Sequence, residues 1–568
     1  MNKIIAVILL VATMHGCQSP VKKQPVVGLI ADSAMVVSAH PLASQIGVNI
    51  MKKGGNAIDA AIAVHFALAV VFPAAGNIGG GGFMVLRLSD GTCNSLDYRE
   101  RAPALAATDM YLDKDGNVIE GLSIAGHLAS GVPGSVDGML EAHLKYGKLT
   151  WKELVQPAID LALKGFQLTE REAKNINGLH DGLIQYNTVR PDFLLKDWKA
   201  GDSIKWIDLG HTLERIRDQG RAGFYEGKTA VDILEEMKRG KGLITAEDLR
   251  NYKSVWRKPV TGNYKSYRII TMPPPSSGGI CLIQLLKSVE PYPVQRWGHN
   301  KARTIHLMTE AERWVYADRS KYLGDPDFFK VPVTELLDSN YIKNRMSFYK
   351  EAAAGSSQEV LPGIIKGYES VETTQISIVD PQGNAVSVTT TLNEWYGNKV
   401  VVAGSGFLLN DEMDDFSSKP GVPNMYGLLG GEGNKIEPGK RMLSAMTPTI
   451  VERNSKLFMV LGSPGGARII TAVFQVLMNV ADHDMGMQEA VDARRLHSQW
   501  LPDAIFPEQG SLNTSDSIDL VKMGHIFQPL KVLNTRSIGR VDAILVLKNG
   551  KLEGGADHSR GDNTANGY

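Results

Sequence analysis

Cysteine is scarce in this chain, with three in 568 residues, at positions 17, 93 and 281. So few and so widely spaced, they cannot build a disulfide framework or a thiolate metal cluster, and Cys93 and Cys281 read as small buried side chains. Zinc-type spacing is missing as well, because none of the 13 histidines belongs to an HExxH pair. The expected active site therefore holds no metal and no other cofactor. Net charge is also absent: 61 basic residues balance 61 acidic ones, which removes the field that would steer the protein toward nucleic acid. Small neutral or zwitterionic partners fit better.

The leading segment MNKIIAVILLVATMHGC carries Lys3, an apolar run from Ile4 to Val11, and small residues ahead of Cys17. This is the pattern of a secretory signal over residues 1–17, too short to remain in a bilayer as a stable anchor. Cleavage before Cys17 would expose a lipidatable cysteine, although Met14 and His15 depart from the residues usual there. Residues 18–34, with Pro20 to Pro25 around Lys22 and Lys23, read as a tether. The expected location is a bacterial periplasm or cell envelope, with the protein either free or held by an N-terminal lipid.

What the chain has in quantity is glycine, 58 residues, which implies many tight turns and close backbone approaches. It also has one threonine-rich hairpin, TTQISIVDPQGNAVSVTTTLN, directly after Glu372. Gln375 to Val379 and Ala385 to Val388 alternate apolar and polar residues, and Asp380-Pro381-Gln382-Gly383 supplies the turn. With a three-residue loop, Asp380 faces Asn384, and counting back pair by pair sets Thr373 opposite Thr391. Threonine is a good strand former, so strand packing alone explains such residues in most hairpins. Their neighbours elsewhere in the chain decide the matter.

A strand from Met35 leads into a helix that stops at Gly54-Gly55-Asn56, and a second, almost wholly apolar helix starts at Ala57. The run Gly79-Gly80-Gly81-Gly82 has no lysine and precedes a strand, so it reads as close packing against another segment and not as a phosphate cradle. Leu96-Asp97-Tyr98-Arg99-Glu100-Arg101-Ala102-Pro103 leaves a strand and enters a loop, where an arginine could clamp a carboxylate with its forked donors, although most arginines in such places lie at the surface. Thr150–Leu163, Leu168–Asn175, Thr229–Met237 and Ala302–Tyr316 are helical by period and capping. Residues Ser339 to Gly367 read as a mobile connector ending at the hairpin. Beyond the hairpin, Asp411, Glu412, Asp414 and Asp415 repel one another unless solvent screens them or a cation sits among them. Pro420 to Gly439, around Tyr426, suits a lid-like loop. Gly465-Gly466, between a strand and a helix, offers free backbone N–H groups of the kind an oxyanion hole needs.

Three of these segments, TTQISIVDPQGNAVSVTTTLN, LLNDEMDDFSSKPGVPNMYG and LGSPGGARIITAVFQ, occur in an order and spacing that resembles the γ-glutamyltranspeptidases. These enzymes, also called glutathione hydrolases, belong to the N-terminal nucleophile hydrolases. The resemblance runs from about Met35 to the C-terminal region. It implies an α/β (α+β) fold: a four-layer αββα sandwich of two stacked antiparallel sheets flanked by helices. It implies cleavage between Glu372 and Thr373, giving a large subunit over 35–372 and a small catalytic one over 373–568, interwoven as a heterodimer. Thr373 would become the N-terminal nucleophile, with its own α-amino group as base and Thr391 activating it. Arg99, helped by Ser444, would bind the α-carboxylate of the γ-glutamyl donor; Asn393, Glu412 and Asp415 would hold its α-ammonium. Gly465 and Gly466 would form the oxyanion hole, and Tyr426 would lie in the covering loop. Glutathione and other γ-glutamyl compounds are the implied donors, with water, amino acids or dipeptides as acceptors.

One position departs from the family pattern of two adjacent serines, since Ser444 is followed by Ala445. Ala445 keeps its backbone N–H but lacks a hydroxyl, and one charge-assisted hydrogen bond is worth about 1.5–3 kcal/mol. A weaker or altered donor preference is the consequence. Two other readings stay open at this stage: a glutaryl or cephalosporin acylase of the same fold, and a non-catalytic envelope binding protein.

Overall fold

The computed structural model describes residues 26–361, 372–417, 419, 432–533 and 535–568. The proposed signal, Cys17 and Tyr426 lie outside the described residues. Two seven-stranded antiparallel sheets stack on each other. The first runs, in spatial order, Thr564–Gly567, Met35–Ser38, Glu372–Val379, Ala385–Asn393, Gly81–Arg87, Cys93–Asp97 and Val255–Arg257. The second runs Leu29–Ala31, Leu552–Ala556, Asp542–Val546, Lys456–Gly462, Thr449–Arg453, Tyr267–Thr271 and Val260–Tyr264.

Side-chain alternation sorts the first sheet into its two faces. Val36, Met84, Leu86, Ile376, Ile378, Val386 and Val388 pack on the helix Ala57–Val71 and its neighbours. Met35, Val37, Phe83 and Val85 join the core that holds the second sheet. That core continues into the helices Gly278–Val289, Ala302–Tyr322 and Arg468–His483. The expected αββα sandwich is what the chain forms. The Ala57–Val71 helix is buried along its whole length, and Asn56 starts it by a capping box with Asp59.

The polar positions of the hairpin are not solvated, although alternation alone would suggest it. Ser377 Oγ donates to the Asp542 carbonyl at 2.9 Å and Ser387 Oγ to that of Leu461 at 3.0 Å, so both hydroxyls bond the second sheet. Buried polar groups persist where they find such partners. The glycine run packs as its composition suggests: a Cβ on Gly79 would stand 2.1 Å from the Leu408 carbonyl oxygen, and one on Gly80 would stand 2.1 Å from that of Thr391.

The four expected helices form as Trp151–Lys164, Glu170–Asn177, Gly227–Gly240 and Ala302–Tyr322. Three other readings need correction. Leu29–Ala31, inside the segment read as a tether, pairs with Leu552–Ala556 as an edge strand. Ser339–Met346, inside the segment read as a connector, is a helix capped by Asp338 and anchored by buried Ile342 and Met346. Cys281 is buried as expected, but Cys93 is only half-buried.

Candidate active site

The hairpin turn forms as its residues dictate. Gly383 takes a left-handed φ of 84°, and Asp380 Oδ1 accepts the N–H groups of Gln382 and Asn384 at 2.9 Å each. The register then follows the count, with Val379 facing Ala385 and Thr374 facing Thr390. One step later it slips: Glu372 pairs with Asn393, leaving Thr391 and Leu392 together across from Thr373. The expected one-to-one pairing of Thr373 with Thr391 is thus replaced by a β-bulge. Two features accompany it. Asn77 Nδ2 holds the Thr391 carbonyl at 2.8 Å, and Asn393 turns to a φ of 82°. Such non-glycine strain gathers at functional sites.

The bulge keeps both threonines on one small cavity, which they line with Arg99, Asn393, Glu412, Asp415, Ser444 and Ala445. Eight of the residues singled out in the sequence converge there. Thr373 and Thr391 are both buried, and Thr391 Oγ1 accepts the Asn393 N–H at 2.7 Å. Gly465 and Gly466 are not among the lining residues; with φ of 134° and 58° they turn the chain into the helix Arg468–His483, whose Ile469 does line the cavity.

The acidic segment is a buried 3₁₀ turn, Glu412–Asp415, not a solvated one. Arg99 is its main cation, and Arg319 also acts on Asp415. Arg99 Nη1 lies 2.5 Å from Glu412 Oε2, Nη2 bonds Asp415, and Glu100 Oε2 stands 3.6 Å away. Burial pushes all three carboxyls upward while Arg99 pulls them back: Asp415 to about 6, Glu100 to about 8, and Glu412 well above the usual carboxylate range. Asn393 Oδ1, Glu412 Oε1 and Asp415 Oδ1 have no hydrogen-bond partner among the described residues.

Two positioning residues were missed in the sequence. Asn410 Nδ2 bonds the carbonyls of Gly79 and Gly131 at 2.8 Å each, while its Oδ1 accepts the Gly131 N–H at 2.8 Å and that of Glu412 at 3.1 Å. It thereby ties the acidic turn to the glycine run. Asn77 does the same for Thr391 and also accepts Gly80 N–H at 3.1 Å and Ser135 Oγ at 2.6 Å. The only local signal for either is an asparagine beside a glycine run or an acidic run. Ser444 is held from the far side, its N–H donating to the Pro275 carbonyl at 2.9 Å and its carbonyl accepting Ser277 Oγ at 2.7 Å.

The model of the gamma-glutamyltranspeptidase family matches residues 43–568. A glutathione hydrolase proenzyme of Pseudomonas sp. strain A14 is 47% identical over 506 residues, covering 88% of this chain and 87% of that one. Another, from Escherichia coli K12, is 43% identical over 541 residues, covering 95% and 92%. Among solved structures, a cephalosporin acylase from Bacillus halodurans superposes with a TM-score of 0.84 at 26% identity, over 98% of this chain and 99% of that one. With the threonine hairpin, the αββα sandwich and these matches in hand, the chain belongs to the gamma-glutamyltranspeptidase family.

Proposed function

We propose that the protein is an autoprocessing γ-glutamyl hydrolase and transferase, acting on glutathione and related γ-glutamyl amides. The observation that carries this reading is the meeting of Thr373 and Thr391 with Arg99, Asn393, Glu412 and Asp415 in one cavity. In maturation, Thr373 Oγ1 attacks the carbonyl carbon of Glu372, and water opens the resulting ester to free the Thr373 amine. That amine is the base that peptide-bonded Thr373 lacks. In turnover, Thr373 Oγ1 attacks the γ-carbonyl of the donor while its proton passes to the α-amine and on to the leaving nitrogen. A γ-glutamyl ester remains. Water or the amine of an amino acid or dipeptide then takes the acyl group.

Donor recognition in this reading uses the charge pattern of the cavity. The α-carboxylate meets the guanidinium of Arg99, with Ser444 beside it, and the α-ammonium meets Asn393 Oδ1, Glu412 Oε1 and Asp415 Oδ1, which have no hydrogen-bond partner among the described residues. The backbone N–H groups of Gly465 and Gly466, which shortly precede Ile469 of the cavity wall, are the donors this reading assigns to the developing oxyanion. A periplasmic or envelope location belongs to this reading and is supported by the secretory pattern of residues 1–17.

The acylase reading rests on the likeness to the Bacillus halodurans enzyme. A glutaryl donor has no ammonium, so the acids would keep their unpaired oxygens, which is costly in a buried site. Release of aniline from γ-glutamyl and glutaryl anilides tests this directly. The γ-glutamyl compound is expected to be faster by at least about tenfold, the worth of one such contact; faster glutaryl release would overturn the reading.

The pH dependence follows with a definite sign. Asp415, at about 6, must be ionised to hold an ammonium, and the Thr373 amine, of ordinary value about 7.7, must be neutral to act as base. Both steps are losses of a proton, so kcat/KM is expected to climb with pH between roughly 6 and 8. Asp415→Asn removes the lower step. A flat profile across that range in the unaltered enzyme would contradict the assignment.

A further inference from the structure

His306, Glu310 and His525 form a second buried cluster that shares no residue with the cavity at Thr373. His306 and Glu310 lie one turn apart on the helix Ala302–Tyr322, and His525 follows the helix Thr514–Lys522. One nitrogen or oxygen of each side chain lies within 4.8 Å of the other two.

The tautomer of His306 is fixed by its surroundings. Its Nε2 stands 2.7 Å from the Lys350 carbonyl, which can only accept, so Nε2 carries the hydrogen and Nδ1 presents a lone pair. That lone pair faces His525 Nε2 at 2.7 Å. Glu310 is held too, with Oε2 accepting the Gly355 N–H at 3.1 Å and Oε1 pairing with Arg313 at 3.2 Å. A histidine whose second nitrogen donates to a backbone carbonyl, beside a hydrogen-bonded carboxylate, is how first-row metal ligands are supported.

We propose that His306 Nδ1, His525 Nε2 and the Glu310 carboxylate bind a divalent cation of the zinc class, with water as fourth ligand. Two nitrogens and one oxygen suit that class better than calcium or magnesium, which take oxygen. Bonds of about 2.0–2.1 Å at tetrahedral angles set two nitrogens about 3.3 Å apart, so the rings must part by about half an ångström. His525 then carries its hydrogen on Nδ1 and gives up its bond to His306. Its backbone N–H bonds the Leu520 carbonyl at 3.1 Å, which holds the residue at the end of the turn after the helix Thr514–Lys522.

The site would act as a clip. His306 and Glu310 precede the Glu372–Thr373 bond and His525 follows it, so, given the cleavage proposed above, the ion joins the two products. Lys350 and Gly355, which lead toward that bond, hang on the same cluster, and Ala354 N–H donates to the Met523 carbonyl at 2.6 Å.

The test uses the full-length protein as purified, stripped with chelator, then titrated with Zn²⁺ by calorimetry and with Co²⁺ by visible absorption. One equivalent of Zn²⁺ is expected to bind, Co²⁺ should show the intense bands of a four-coordinate ion, and Zn²⁺ should raise Tm. His525→Gln and Glu310→Gln should each weaken binding by about 10–100-fold. Release of aniline from a γ-glutamyl anilide reports whether the variants fold, independently of the clip. Absence of a bound equivalent in the unaltered protein, or its full retention in both variants, overturns the proposal. If His525→Gln does not fold, the Glu310→Gln titration and the Co²⁺ spectrum decide alone. Loss of γ-glutamyl turnover in the unaltered protein would instead count against the proposed function and leave the metal titration standing.

Discussion

Thr373→Ala is expected to remain a single uncut chain and to turn over no γ-glutamyl substrate. Two losses have one cause, since the same hydroxyl attacks the Glu372 carbonyl in maturation and the donor carbonyl in catalysis. Removing a covalent nucleophile costs about 10⁴-fold or more, and here the general base is never released either, because the Thr373 nitrogen stays an amide. Thr373→Ser keeps a hydroxyl on the same strand, opposite the bulge, and is expected to cut itself, though more slowly. Intact mass under denaturing conditions reads both variants. Two masses dividing at Glu372/Thr373 are expected for the unaltered protein and one for Thr373→Ala; a cleaved alanine variant would mean that another group does the cutting. Burial argues that this variant folds. Thr373 is 3% exposed and alanine leaves only a small void, so the αββα sandwich should survive the change.

How far the sequence reached depends on where the cause of each feature lies. The hairpin turn was readable because Asp380, Pro381 and Gly383 determine it within four residues. The bulge at Thr391–Leu392 was not, because the contact that accompanies it, Asn77 on the Thr391 carbonyl, comes from far along the chain. The glycine run could be read as close packing, since what it lacks, a lysine and a following helix, is local. The acids of Glu412–Asp415 show their repulsion in sequence, but burial and pairing with Arg99 are long-range facts. The helix Ser339–Met346 is different: Asp338 as its cap and Ile342 and Met346 at helical spacing were there to read, and polar composition concealed them. Cavity residues such as Arg99, Asn393 and Ser444 were reached through resemblance, because nothing within five residues of each shows that they share a cavity.

Arg99→Met is expected to be the most destabilising single change at the site, and its cost should depend on pH. Arg99 is the cation against which Glu412, Asp415 and, more distantly, Glu100 are buried. Removing one partner of a buried ion pair costs about 3–5 kcal/mol, because the other charges remain out of water. The sign of the pH effect follows from the carboxyls. Folded, they titrate above their unfolded value of about 4 even with Arg99 present, and without it they rise further. Between the unfolded and folded values the native state binds more protons, so the variant loses stability as pH rises through that window and regains it as pH falls. Urea unfolding near pH 5.5 and near pH 8 should show a smaller deficit at the lower pH. Adding Glu412→Gln to Arg99→Met should recover part of the loss, since it removes a charge that no longer has a partner. Arg99→Lys keeps the charge without the fork and should fall between. A deficit that is absent at pH 8, or equal at both, would mean that the acids are neutral in the native protein, and the ammonium site argued from them would lose its charge.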